Sequence, residues 1–533
     1  MENKQGIVGL RSLPKRQVVI TMVGTLLAMF LSSLNQTVVG TAMPRIIADL
    51  GGFAQYTWVT TAYLISSTVS VPITGRLIDI YGRKWFYTAG IIIFVLGSLL
   101  CGLSQTMTQI IAARGFQGIG AGIMMANAFT VVGDLFPPAE RGKYQGMTSG
   151  VLGISSIIGP TLGGFITDSL SWHWVFYFNI PLGVLIILLF VFFFPNLRPD
   201  SLKHQVDYIG AVLLILATVP IMLALSWGDV EYPWLSAPII GMSVFSLVMA
   251  MFFIVTEKRS REPIIPLWLF RNRIIAVSIP VIFFSGIGMF GAIIFVPLFF
   301  QGVLGLSATT SGNFLTPMML GMVAGSFISG QALSRAGGHY RVQGLIGLAI
   351  MALGIGLLSR MNTETSYATA ITNIILVGFG LGITMPLYTI AVQNAVPYNV
   401  MGVATSSTVF FRSIGGSVGL AILGAVMTNR FASEFISRLP SALKTVIPSE
   451  LLSSLAHNPQ ALVSGQAQEQ LKALLTPLGE QGLTLFDQLL QALRLALNSA
   501  LSQVFLIGLG VVLIALIINF FIKEIPLRRQ HDV

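Results

Sequence analysis

Charge is scarce in this chain. Only 9% of its 533 residues are Asp, Glu, Lys or Arg, where a soluble domain carries about 25%. Too few solvated side chains remain to cover a globular surface, which excludes an ordinary water-soluble fold. Cysteine occurs once, at Cys101, so an internal disulfide is excluded and the redox compartment is left open. The five histidines, His173, His204, His339, His457 and His531, are scattered without His-x-x-x-His spacing or a cysteine partner. That argues against a bound metal and against a metal-dependent membrane enzyme. No Walker loop occurs, so ATP hydrolysis within this chain is not expected. Catalytic residues and cofactors are likewise not expected. A cleavable leader is not expected either: MENKQGIVGLRSLPKRQ is polar and basic, and the run after it is long enough to span.

What is present is apolar sequence. Hydrophobic residues make up 54% and mean hydropathy is +0.82. A helix needs about 20 apolar residues to cross the hydrocarbon core. Fourteen runs meet this, at 17–43, 55–79, 84–104, 107–135, 141–168, 172–195, 206–226, 236–256, 272–302, 308–335, 341–360, 366–394, 399–428 and 499–522. An all-α polytopic membrane protein follows. With a cytoplasmic N-terminus, 21 of the 30 Lys and Arg fall on the inner side, seven outside and two within helices. This bias sets the expected orientation, with both termini in the cytoplasm of a (bacterial) cell and many passes through its membrane. The net charge of +10 is explained by that topology, without a nucleic-acid partner.

The densest charge sits in GRLIDIYGRK, residues 75–84, between two apolar runs. Asp79 lies there with Arg76, Arg83 and Lys84, a cluster that belongs at a membrane surface where acid and bases can pair. Gly75 and Gly82 permit close helix approach and a sharp turn. A weak copy, GQALSRAGGHYR, repeats the seven-residue glycine spacing at Gly330 and Gly337, with Ser334 in place of the acid. In the fifth run, GISSIIGPTLGG carries Gly153, Gly159, Pro160, Gly163 and Gly164, residues that allow tight packing and a bend. In the fourth, RGFQGIGAG sets Arg114 inside the apolar stretch, where it is either functional and paired or snorkelling to the rim.

These stretches resemble those of the major facilitator superfamily, and fourteen runs resemble its fourteen-helix drug:proton antiporters. The resemblance implies two six-helix bundles, 1–195 and 272–533, joined by two inserted helices within 196–271, with the substrate site between the halves. It implies an inner gate at Gly75, Asp79, Gly82, Arg83 and Lys84, and an antiporter motif at the five residues of the fifth run. It also implies export of hydrophobic or amphipathic compounds, drugs or lipids, by alternating access, with protons as the coupling partner and the chain acting as a monomer in the bilayer.

One departure cuts across this. SLNQTVVGTAMP resembles a family stretch with aspartate where this chain has Asn35. Asparagine hydrogen-bonds but does not titrate, and no acid in the sequence falls at mid-membrane. Three accounts stand side by side: a replacement that mimics the protonated acid, a natural loss of proton coupling, or transfer of the proton role to Asp79, Asp134 or rim histidines. Proton-independent transport is therefore the alternative reading, and a polytopic enzyme a remote one. Candidate cavity residues are Asn35, Gln36, Arg114, Gln117, Asn127, Asn313 and Arg412; Gln393 and Asn394 are further polar residues in the spans, and interhelical hydrogen bonds would account for such residues as well. Phe283, Phe284, Phe290 and Phe295, with Trp58 and Tyr63, are candidates for an aromatic wall. The outer loop, 429–498, is expected to hold amphipathic helices that lie on the membrane or extend the last span.

Overall fold

The computed structural model describes residues 14–51, 55–195, 206–306, 315–336, 338–440 and 479–528, with isolated positions between 443 and 476. Apolar sequence in lipid has no water to satisfy its backbone, so it forms helices. Fourteen long ones are seen among the described residues: α1 (Lys15–Leu50), α2 (Tyr56–Tyr81), α3 (Arg83–Gly102), α4 (Met107–Leu135), α5 (Pro138–Ser169), α6 (Trp174–Phe193), α7 (Tyr208–Trp227), α8 (Ala237–Arg259), α9 (Arg273–Leu298), α10 (Leu315–Ala336), α11 (Tyr340–Leu358), α12 (Tyr367–Asn394), α13 (Met401–Arg438) and α14 (Gly479–Asn519). Twelve are long and apolar enough to cross a membrane by length and composition. The other two, α2 and α10, have 26 and 22 residues and pack among them.

Local chemistry sets the ends. Thr106, Asp207, Asn272 and Ser366 each accept a backbone N–H in the first turn of α4, α7, α9 and α12, which satisfies donors that the helix leaves open. α2 stops at Gly82, whose φ of 88° suits glycine and lets α3 begin at the next residue.

Helices α1–α6 pack mainly on one another, around buried Leu31, Tyr87, Phe94 and Met124 and around Leu34, Val39, Ile110 and Phe176. Helices α9–α14 share a second apolar core that includes Val281, Phe299, Met351, Tyr388 and Leu501. The tightest packing uses small residues. Gly378 and Gly382 of α12 lie against the backbone of α10 at Met318 and Met322, so dispersion contacts run backbone to backbone. α7 and α8 pair with each other and rest on α2 and α13. Both ends of the described chain lie at the 75–84 end. Gln17 donates to the Phe193 carbonyl, Lys84 donates to the Val191 carbonyl, and Asn394 donates to that of Pro526.

The last span, expected at 499–522, begins earlier: over the described residues it is one continuous 41-residue helix, α14, the arrangement in which the amphipathic segment extends the span. The face of Leu489, Leu493 and Leu497 runs on without a break into Leu501 and Val504. α13 is extended in the same way, to 38 residues, and its Phe431 and Phe435 belong to the same buried cluster. The segments proposed as shorter helices near 451–475 lie almost wholly outside the described residues.

Gly382→Val puts a branched side chain into the α10 backbone, and overpacking of this kind costs about 1–3 kcal/mol. It should lower the thermal midpoint of the purified protein by several degrees. Gly241→Ala, with open space at its Cβ, should leave the midpoint unchanged.

Candidate functional site

The 75–84 segment brings the two groups of helices together. Asp79, two residues before the end of α2, aims its carboxylate at the first turn of α13. Its Oδ1 accepts from Gly402 N (3.1 Å) and its Oδ2 from Val403 N (2.9 Å). A carboxylate at a helix N-terminus satisfies open donors and meets the positive end of the dipole. Arg83 closes the cluster: Nη2 reaches Asp79 Oδ1 at 3.0 Å, Nε reaches Asp134 Oδ2 at 2.8 Å, and Nη1 donates to the Ile78 carbonyl at 3.1 Å. Both ion pairs are buried, and removing one partner of such a pair typically costs about 3–5 kcal/mol. The backbones can meet because Gly75 and Gly402 lack side chains: a Cβ on Gly75 would run into Ser406, and one on Gly402 into Asp79.

A second tie lies beside it. Gln393 of α12 accepts from Arg141 (3.4 Å) and Gln145 (3.3 Å) of α5, and donates to the Phe129 carbonyl of α4 (3.2 Å) and to Thr405 of α13 (3.0 Å). Arg141 is fixed by the carbonyls of Gly133 (2.7 Å) and Phe136 (2.9 Å). A third is made by α5 and α10, whose backbones touch at Gly142 and Gly330. The connector after α8 adds a fourth. Glu262 pairs with Arg76, while Glu257 accepts from the amides of Ile264 (3.1 Å) and Ile265 (3.3 Å).

Within the first group of helices, Asn35 and Arg114 meet. Arg114 Nη1 donates to Asn35 Oδ1 and to Gln117 Oε1, both at 2.6 Å, and Nε donates to the Val59 carbonyl at 3.3 Å. Its guanidinium lies 4.1 Å from the Tyr63 ring centroid, and Gln117 donates to Ser98 at 2.6 Å. Asn35 and Arg114 are each 1% exposed. The charge is thus solvated by neutral acceptors and an aromatic face. Asn35 Nδ2 is buried and has no hydrogen-bond partner.

The other predicted residues are dispersed. Gln36 is exposed on the far side of α1. Asn127 bonds only to the Ile123 carbonyl of its own helix. Lys84 points to α6, away from Asp79. Arg412 meets the Met385 carbonyl of α12 at 3.4 Å. Asn313 lies outside the described residues. In the fifth-run motif, Gly153 packs on Met319 of α10, whereas Gly159 and Gly163 pack on Thr37 and Thr41 of α1; Gly164 faces open space and Pro160 sits inside the helix between the two contacts. Of the aromatic candidates, Phe283 and Phe290 lie against Gly415 and Gly416, while Trp58 meets Trp227 of α7 edge-on. Sequence reasoning missed the part that Asp134, Arg141, Glu257 and Glu262 take in these contacts. The one signal available was an acid or base within two or three residues of the end of an apolar span.

The family model of the Major Facilitator Superfamily matches residues 25–420. The chain belongs to the major facilitator superfamily. Full-length similarity within the superfamily reaches the multidrug transporter protein MdtP of Bacillus subtilis, 40% identical over 97% of this chain and 94% of that protein. Multidrug resistance protein 3 of the same organism is 36% identical over 96% of each chain. Among solved structures, the crystal structure of the human organic anion transporter MFSD10 aligns with a TM-score of 0.58, covering 94% of this chain and 100% of that one. At 13% identity that likeness shows the superfamily fold alone.

The geometry makes Asp79 the tie whose loss should loosen the whole end. Asp79→Ala removes three buried hydrogen bonds to α13 and Arg83. A cysteine at Ser406, buried against Gly75, should react slowly with a soluble maleimide in the parent and about tenfold or more faster with Asp79→Ala, since each ~1.4 kcal/mol is a factor of ten and the lost pair exceeds that.

Proposed function

We propose that this chain exports hydrophobic and amphipathic compounds across the cytoplasmic membrane as a secondary transporter working by alternating access. The observation that carries it is the closure of the 75–84 end by residues contributed from both helix groups: Asp79 on the first turn of α13, and Gln393 on α4 and α5. Ties of this kind hold one side shut and can exchange for an opposite arrangement, which is what alternating access requires. The printed names of the 40% and 36% identical relatives, a multidrug transporter and a multidrug resistance protein, support drug-like cargo and a transport role rather than an enzymatic one. The 75–84 end is cytoplasmic in this reading, because the excess of Lys and Arg falls there. The protein acts as a single copy.

The Asn35–Arg114 contact supports transport that does not draw on a proton at this position. An amide holds the same place in the hydrogen-bond network at every pH. A carboxylate there would pair with Arg114 when charged and release it when protonated, which ties a proton to the change of state.

Two measurements test the reading. In proteoliposomes, Asn35→Asp should gain dye export that rises with an imposed pH gradient, by about tenfold or more, while the parent responds little. A parent that already responds as strongly would return coupling to Asp79 or Asp134. For orientation, Leu235→Cys, 88% exposed between α7 and α8, should react with an impermeant thiol reagent added outside intact cells, and Arg259→Cys should not. The native Cys101 is buried and gives no background.

A further inference from the structure

Two arginines lie inside the spans, and among the described residues neither is in an ion pair. Arg114 is surrounded by neutral acceptors. Arg412 has less: a guanidinium carries five N–H donors, and its hydrogen bond is the one to Met385 at 3.4 Å, on a carbonyl already shared with the Thr389 hydroxyl at 3.1 Å. Every acid in a described helix lies within two residues of a helix end, apart from Glu434 and Asp487 on the extensions of α13 and α14. The middle of the protein therefore holds positive charge that no side chain balances. Such a charge is costly unless something of opposite sign completes it.

The position of Arg412 says where that something would be. Thr405, seven residues earlier on α13, is part of the Gln393 tie that closes the 75–84 end. Seven residues are two helical turns, so Arg412 stands on the same face about 10 Å farther into the membrane. On α12, Met385 stands two turns beyond Gln393 in the same way. Arg412 thus stands two turns from the Gln393–Thr405 tie on the same face of α13, 8% exposed. Phe283 and Phe290 of α9 pack against the next turn of α13, at Gly415 and Gly416, which gives the charge an apolar surround. The orphaned, buried Asn35 Nδ2 is a second donor in the spans without an acceptor.

We propose that the cargo of this transporter is anionic, an apolar body bearing a carboxylate, sulfonate or phosphate, and that Arg412 receives the negative group. This rests on the export reading above and names its substrate class. It also supplies a driving force that Asn35 does not. A cell interior is negative, so an anion leaves down the electrical gradient, and about 59 mV supports a tenfold concentration ratio of a monovalent ion. Such cargo needs no proton.

The test uses a matched pair of dyes, anilinonaphthalene sulfonate and its uncharged parent N-phenylnaphthylamine, with the full chain in nanodiscs for binding and in proteoliposomes for flux. The sulfonate should bind at least about tenfold more tightly than the uncharged dye. Arg412→Gln should bring that ratio close to one, and Arg412→Lys, which keeps the charge and loses the planar fork, should lie between. Sulfonate should accumulate without a pH gradient when a potential is imposed with valinomycin and potassium, its steady-state concentration ratio changing about tenfold for each 59 mV. A binding ratio unaltered by Arg412→Gln, or accumulation indifferent to potential, overturns the proposal. Saturable ethidium export without anion preference would do the same and leave the export reading standing. No saturable flux of any dye would overturn both.

Discussion

The carboxylate of Asp79 on the first turn of α13 is the contact around which the closed end is organised. It is a charge taken out of water, which is tolerable only because it accepts two backbone N–H groups and faces Arg83. Arg83 in turn needs Asp134, since one carboxylate does not fill its donor fork. The glycines at 75 and 402 exist at this crossing because any side chain would hold the carboxylate away from those amides. Remove the acid, and Arg83 is left with Asp134 alone while α13 loses its cap. Local capping, ion pairing and the joining of the halves are one interaction seen at three scales.

Much of this was legible before any coordinates. Apolar runs of membrane-spanning length marked all fourteen helices, because lipid leaves the backbone no other solution. The spacing of Gly75, Asp79 and Gly82 named the crossing, and the rarity of a buried arginine made Arg114 conspicuous as a residue that needs partners. What stayed hidden was long-range. Gln393 read as one more polar residue in a span, yet it gathers Phe129, Arg141, Gln145 and Thr405, more than 240 positions separating it from α5. Nothing in local periodicity reports such a pairing. Whether the amphipathic segment before 499 lies apart or extends the last span was left open for a similar reason: an amphipathic face and an apolar span share the 3.6-residue period, so no signal separates them when they are in register.

The inserted pair α7 and α8 is tied into the same end. Glu257 folds the connector 260–266 back on itself by accepting from Ile264 and Ile265, and that fold carries Glu262 to Arg76 in the motif. Phe270, in the turn that follows the connector, packs edge-on with Phe411 of α13. The two extra helices therefore hold both α2 and α13 near their crossing, and the insertion is part of the closure rather than a spectator beside it.

α5 has a mechanical consequence. Gly142, Gly146, Gly150 and Gly153 face α10 at Gly330, Phe327, Val323 and Met319, one turn after another. On either side of Pro160 the helix hands its small residues to α1 instead, at Gly159 and Gly163. A row without side chains on α5 is a bearing: α10 can roll along it with only its own side chains, such as Val323 and Met319, in the contact. Where the row ends, the roll must stop. The travel of the rocking motion is thereby written into the backbone as the length of a track, and lengthening or shortening that track by one small residue should change how far the halves swing without touching any group that binds cargo.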